Sequence, residues 1–87
     1  MTTLSPQTQS RVLRGIALYN DRAGEIKHVG PSLYEVPGSN GQSYRVDYRD
    51  GRCGCPDHAR HPEYTCKHIT AVTLYAAKES TRAAEVA

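Results

Sequence analysis

Tryptophan and phenylalanine are missing from these 87 residues, and tyrosine is the only aromatic type. A core built without either residue is poor in bulk. A chain of this length is expected to form one domain. It buries a limited share of its surface, so apolar area alone stabilises it only marginally. Cysteine is scarce as well. There are three, an odd number, and a purely intramolecular disulfide framework would leave one thiol over. No Cys-x-x-Cys precedes a helix, which argues against a thioredoxin-like redox site. No stretch approaches the roughly 20 apolar residues that span a bilayer. Met1 to Gln9 is polar and has no apolar signal-peptide core. There is no excess of charge of one sign. The formal net charge is +2, and residues 1–43 and 44–87 show no asymmetry of charge between them. An electrostatic case for nucleic acid must therefore rest on local clustering. No phosphate loop, no serine–histidine–acid constellation, no internal repeat and no long linker stands out.

What the chain does contain is one spacing, Cys53-Gly54-Cys55, ten residues, then Cys66-Lys67-His68. It uses every cysteine and one histidine. Three thiolates and one imidazole fill the four tetrahedral positions of a structural zinc ion, leaving none open for water or substrate. The same residues therefore argue against metal catalysis, and the protein is expected not to be an enzyme. Cys53 and Cys55 are separated by one glycine, too short a loop for an easy disulfide. Both sulfurs can instead point inward from a tight turn that Gly54 tolerates. His58 and His61 lie in the intervening loop, and either could replace His68 as fourth ligand. His68 is preferred because it pairs naturally with Cys66, while His58 and His61 read as solvated. His28 is assigned no role. The expected cofactor is one structural Zn2+, and zinc binding then becomes part of the folding free energy. Thiols held on zinc suit a reducing compartment. The expected location is the cytoplasm, or the nucleoid or nucleus if DNA is the partner.

Local signals outline the rest. Ser5-Pro6 is a helix start. Val12, Ile16 and Tyr19, with Leu13 beside them, recur near helical spacing, predicting helix over 6–22 with closure near Gly24. Gly15 sits inside that helix and costs about 1 kcal/mol relative to alanine. It reads as a tolerated weak point rather than a close-packing site. Ile26 to Val29 and Ser32 to Val36 are strand candidates, and 37–41 is a turn. Gln42 to Arg49 alternates, with Tyr44, Val46 and Tyr48 on one face and Arg45, Asp47 and Arg49 on the other, the period of a half-buried strand. Asp50-Gly51 turns the chain into Cys53. Residues 56–65 read as irregular loop. A second helix is predicted from Cys66 to about residue 84, with Thr65 as N-cap and Ile69, Val72 and Ala76 on one stripe, with Tyr75 near it.

At these residues the chain resembles a SWIM zinc finger, over roughly 32–78. The likeness rests on Tyr44 and Val46 in the strand, on Cys53-x-Cys55-Pro56-Asp57, and on Cys66-Lys67-His68-Ile69 leading into Ala71-Val72. It departs at His58, where family members usually carry an aromatic residue. The resemblance implies a ββα zinc unit with the first cysteine pair at the hairpin and the second pair entering the helix. The expected fold is α+β: an N-terminal helix, a two- or three-stranded antiparallel sheet and a C-terminal helix. The expected organisation is an N-terminal helical extension (1–25), the zinc domain (26–80) and a frayed tail (81–87). Family members occur in helicase-like ATPases, Mutator-type transposases, recombination mediators and ubiquitin-ligase-like proteins. The resemblance thus implies binding to DNA or to a protein, as an accessory to a larger ATPase, transposase or recombinase. Arg45, Arg49 and Arg52 on or near the non-core side of the third strand, with Arg60 in the loop and Lys67 beside a ligand, are the expected phosphate contacts. Asp47, Asp50, Asp57 and Glu63 are interleaved with them. The alternative is a protein–protein adaptor using apolar residues off the helical stripes, Leu18 and Leu74.

Overall fold

The computed structural model describes residues 5–38 and 40–86, with side chains to Thr81. Helix α1 (Pro6–Arg22) starts as the sequence predicts: Ser5 is extended, and its Oγ accepts from the Thr8 N–H at 3.2 Å. A short 3-10 turn (Ala23–Glu25) follows. Four strands come next, β1 (Lys27–Gly30), β2 (Leu33–Pro37), β3 (Ser43–Asp47) and β4 (Arg52–Cys53). They form one antiparallel sheet in sequence order. A five-residue helix α2 (Pro56–Arg60) and the long helix α3 (Lys67–Val86) complete the chain. The α+β class and the element order agree with the expectation, but the sheet has four strands rather than two or three. The two residues of β4 carry the chain into the first cysteine pair, too short a run to show an alternating pattern. The expected fraying of 81–87 falls mostly on residues whose side chains lie outside those described.

The core lies between the inner face of the sheet and α3. Tyr34 and Val36 of β2, Val46 of β3 and Cys53 of β4 face inward, and Val72, Ala71 and Ile69 of α3 meet them. Alternation in β3 works as the sequence suggests at Val46, which is buried, and Arg45, which is exposed. The strand ends at Asp47, however, and Tyr48, expected on the inner face, is 43% exposed in the turn that follows. Helix α1 packs mainly on α3. Its orientation departs from the sequence reading. Gly15 is the one residue of α1 that is buried, and Leu18 and Tyr19 pack on the core, whereas Leu13 is 67% and Ile16 39% exposed. The reason is a close approach. A Cβ built on Gly15 would lie 2.4 Å from Thr70 Cβ and 2.8 Å from the Lys67 carbonyl oxygen. Gly15 is therefore the contact that lets α1 meet α3, not a tolerated weak point, and it turns Leu18 inward and Leu13 outward.

Tyr34 ties the sheet to α3 at the end remote from the cysteines. Its hydroxyl donates to Glu79 Oε1 at 2.8 Å, and its ring stacks on His28 at 4.3 Å. Burial, reinforced by the Glu79 carboxylate, pushes its phenol up to about 12. The folded value lies above the unfolded one, so this contribution is full below pH 10 and declines as pH rises toward 12. A urea midpoint followed from pH 9 to 12 is expected to fall in that window. Tyr34→Phe is expected to flatten the fall; an equally steep fall in the variant would refute the assignment.

Candidate metal centre

Two hairpin and helix geometries converge on the cysteines. Cys53 pairs with Val46 across the β3–β4 ladder, and the Gly54 N–H continues it by donating to Arg45 O at 3.2 Å. Cys55 then caps α2: its backbone is extended, and its Sγ accepts from the His58 N–H at 3.4 Å. Pro56 at the first helical position repeats the Ser5-Pro6 arrangement, with sulfur in place of the hydroxyl. Cys66 stands just before α3, its Sγ held by the Ile69 backbone N–H and its carbonyl accepting from the Thr70 N–H at 3.1 Å. The predicted cap, Thr65, lies one residue earlier. Two thiols thus sit at helix starts, where the unpaired N–H groups favour a negative sulfur.

Cys53, Cys55, Cys66 and His68 are all buried, and one ligand atom from each lies within 4.8 Å of the others. His68 turns Nδ1 toward the sulfurs, 3.9 Å from Cys66 Sγ, and its Nε2 is buried with no hydrogen-bond partner among the described residues. The thiols cannot all ionise side by side. Hydrogen bonding from Cys53, helped by His68 and the Ile69 N–H, pulls the Cys66 thiol down, while burial opposes it. Cys53 is held up by its bond to Cys66 and by burial, and Cys55 is raised by burial. A dication among them reverses this balance, because a coordinating thiol is deprotonated outright. The donor set therefore fits one metal ion.

The loop histidines go elsewhere. His58 Nδ1 lies 3.2 Å from the Tyr64 carbonyl, and His61 Nδ1 lies 3.5 Å from Glu63 Oε1. Residues 56–60, read as loop, are helical because Cys55 caps them. Of the expected phosphate contacts, Arg45 and Arg52 project from the outer face of the sheet. There they stand opposite Glu35 and Asp47 in register, a checkerboard of charge. Arg49 and Arg60 are exposed, and Lys67 lies on the other side of the sheet, at the start of α3.

Sequence reasoning missed Arg11. Its guanidinium bonds both oxygens of Asp57, at 2.9 and 2.8 Å, and lies 4.6 Å over the Tyr64 ring. The bidentate pair holds the Asp57 carboxyl below its usual range. It fastens α1 to the segment between the two cysteine pairs. The two partners are 46 residues apart, so no local pattern could announce it. No described helix is long and apolar enough to cross a membrane. Comparison with protein-family models, with curated proteins and with solved structures finds no match to this chain.

Proposed function

We propose that the protein is a structural-zinc module of the SWIM type that binds nucleic acid, DNA first, as an accessory to a larger DNA-processing ATPase, transposase or recombinase. Three thiolates with one imidazole suit zinc, which is bound tetrahedrally by such sets without redox demands. A closed set of four protein ligands suits a structural ion rather than catalysis. The Cys-x-Cys-Pro-Asp and Cys-Lys-His-Ile contexts support the family reading, and thiolate ligands suit a reducing compartment.

The observation that carries the nucleic-acid reading is the attachment of cations to ligand positions. Arg52 precedes Cys53, Arg60 lies on the helix that Cys55 caps, and Lys67 stands between Cys66 and His68. A metal that fixes the ligands fixes these side chains' backbones with them, and cations so presented can track phosphates. The test is fluorescence anisotropy of zinc-loaded protein with single- and double-stranded DNA at two salt concentrations. Salt-sensitive binding that weakens when Arg52, Arg60 and Lys67 are changed to glutamine is expected. No binding at low salt would sink the reading. In that event the adaptor reading takes its place, favoured by Leu13 and Ile16 exposed on the outer side of α1.

A further inference from the structure

A cleft of about 290 Å³ opens between α1, the turn joining β2 to β3, and the start of α3. Arg11 and Arg14 of α1, Lys67 and His68 of α3, and Asn40 and Tyr44 line it, beside Cys55 and Cys66. We propose that this cleft is an oxyanion site that takes one phosphate group, held by Arg14, Lys67 and the Nε2–H of His68. The proposal rests on the metal assignment and stands apart from the DNA reading, because a free phosphate would fit the same donors.

Three observations converge. The first is charge. Among the described residues one carboxylate, Asp57, lines the cleft, and Arg11 already engages both of its oxygens. Arg14 and Lys67 have no carboxylate within ion-pair distance among the described residues. The second is an orphaned donor. His68 is only 3% exposed, and its Nε2 has no partner. Nδ1 is the ring nitrogen that lies against a thiol, 3.9 Å from Cys66 Sγ, and His68 lines the cleft. A metal held through Nδ1 would leave the ring proton on Nε2, and metal-bound imidazoles regularly give that proton to an acceptor. A buried donor without an acceptor is costly, and an oxyanion in the cleft supplies one. The third is the setting. Lys67 begins the 20-residue helix α3, whose N-terminal end attracts anions. The Tyr44 hydroxyl is a further donor, since its bond to Gln42 Oε1 is long at 3.4 Å. Cations and neutral donors from α1, α3 and β3 line the cleft together, and a phosphate, with more charge and more acceptor oxygens than a carboxylate, engages more of them.

The experiment uses the zinc-loaded full chain, with 1H–15N spectra recorded during titration with inorganic phosphate, and with acetate at equal ionic strength. Saturable shifts at Arg14, Lys67 and the His68 ring are expected with phosphate and not with acetate. Arg14→Gln and Lys67→Gln are each expected to weaken binding by about tenfold, the scale of one charge-assisted hydrogen bond. Arg45→Gln should leave it unchanged. Each variant is first shown to keep its metal and its dispersed spectrum. Shifts that do not saturate, or that survive both cleft substitutions, overturn the site. A second arm titrates a single-stranded oligonucleotide with and without a 5′-phosphate. Cleft shifts that need the 5′-phosphate, or that appear with inorganic phosphate alone, assign a terminal or free phosphate. Equal cleft shifts from both oligonucleotides assign a backbone phosphate. Phosphate binding without oligonucleotide binding supports the cleft and removes the DNA reading. Oligonucleotide binding that leaves Lys67 and His68 unmoved, with no response to phosphate, overturns the cleft and spares that reading.

Discussion

Cys66→Ser is expected to abolish metal binding and cooperative unfolding together. Cys66 is 1% exposed, accepts a hydrogen bond from the Ile69 N–H, and is the thiol most easily ionised of the three. A serine hydroxyl keeps the space but not the soft, readily ionised donor that the site requires. The rest of the core offers little to compensate. Its largest fully buried side chains are valines and the cysteines themselves. Structural zinc contributes about 10–16 kcal/mol of apparent binding energy in zinc-finger peptides. Whole domains are stable by only about 5–15 kcal/mol. The variant should therefore show no bound metal in native mass spectrometry and a broad, baseline-free urea profile by circular dichroism. Full metal content with the parent's midpoint would remove Cys66 from the ligand set. In the same assay His68→Ala should lose far more metal than His58→Ala or His61→Ala, whose ring nitrogens face Tyr64 O and Glu63. Equal losses would reassign the fourth ligand.

Gly15→Ala is expected to destabilise the protein by about 1–3 kcal/mol, the range of overpacked sites. The sign is the informative part. Inside a helix this substitution ordinarily stabilises by about 1 kcal/mol. Here the new methyl would lie 2.4 Å from Thr70 Cβ, 2.6 Å from Thr70 Cγ2 and 2.8 Å from Lys67 O. Neither a Cβ nor a backbone carbonyl can swing aside, so α1 must move off α3. For a domain of this size the loss corresponds to a drop of about 4–8 °C in Tm per kcal/mol. Thr70→Gly in the Gly15→Ala background removes two of the three contacts. A double-mutant cycle should therefore show a coupling that partly restores the packing, with the Lys67 carbonyl contact remaining. A Gly15→Ala variant as stable as the parent would refute the close approach.

What could be read from the sequence was local or periodic. Ser5-Pro6 announced α1 because a cap and a fixed φ act within one turn. The alternation of Tyr44, Val46 and Arg45 announced β3 because a sheet has period two. The clustering of Cys53, Cys55, Cys66 and His68 was legible because tetrahedral coordination constrains residue type and spacing together. What was missed depends on partners distant in sequence. Leu13 and Ile16 carry the apolar signal of α1, yet Gly15, with no side chain, decides which side meets α3. Helix α2 was hidden because its cap is a thiol, and capping rules are written for oxygen. The cleft was invisible for a similar reason: Arg14 and Lys67 are 53 positions apart and meet only when α1 docks.

The clamp between Arg11 and Asp57 also depends on the rest of the fold for its stability. The turn between β2 and β3 closes over five residues, 38–42, whereas the clamp must close over 46. Longer closures cost more chain entropy, and a partly exposed ion pair returns little of it alone. The clamp becomes favourable only once α2 has been held in place by the capped cysteine and the packed hairpin. The docking of α1 completes the wall of the cleft that Arg14 lines.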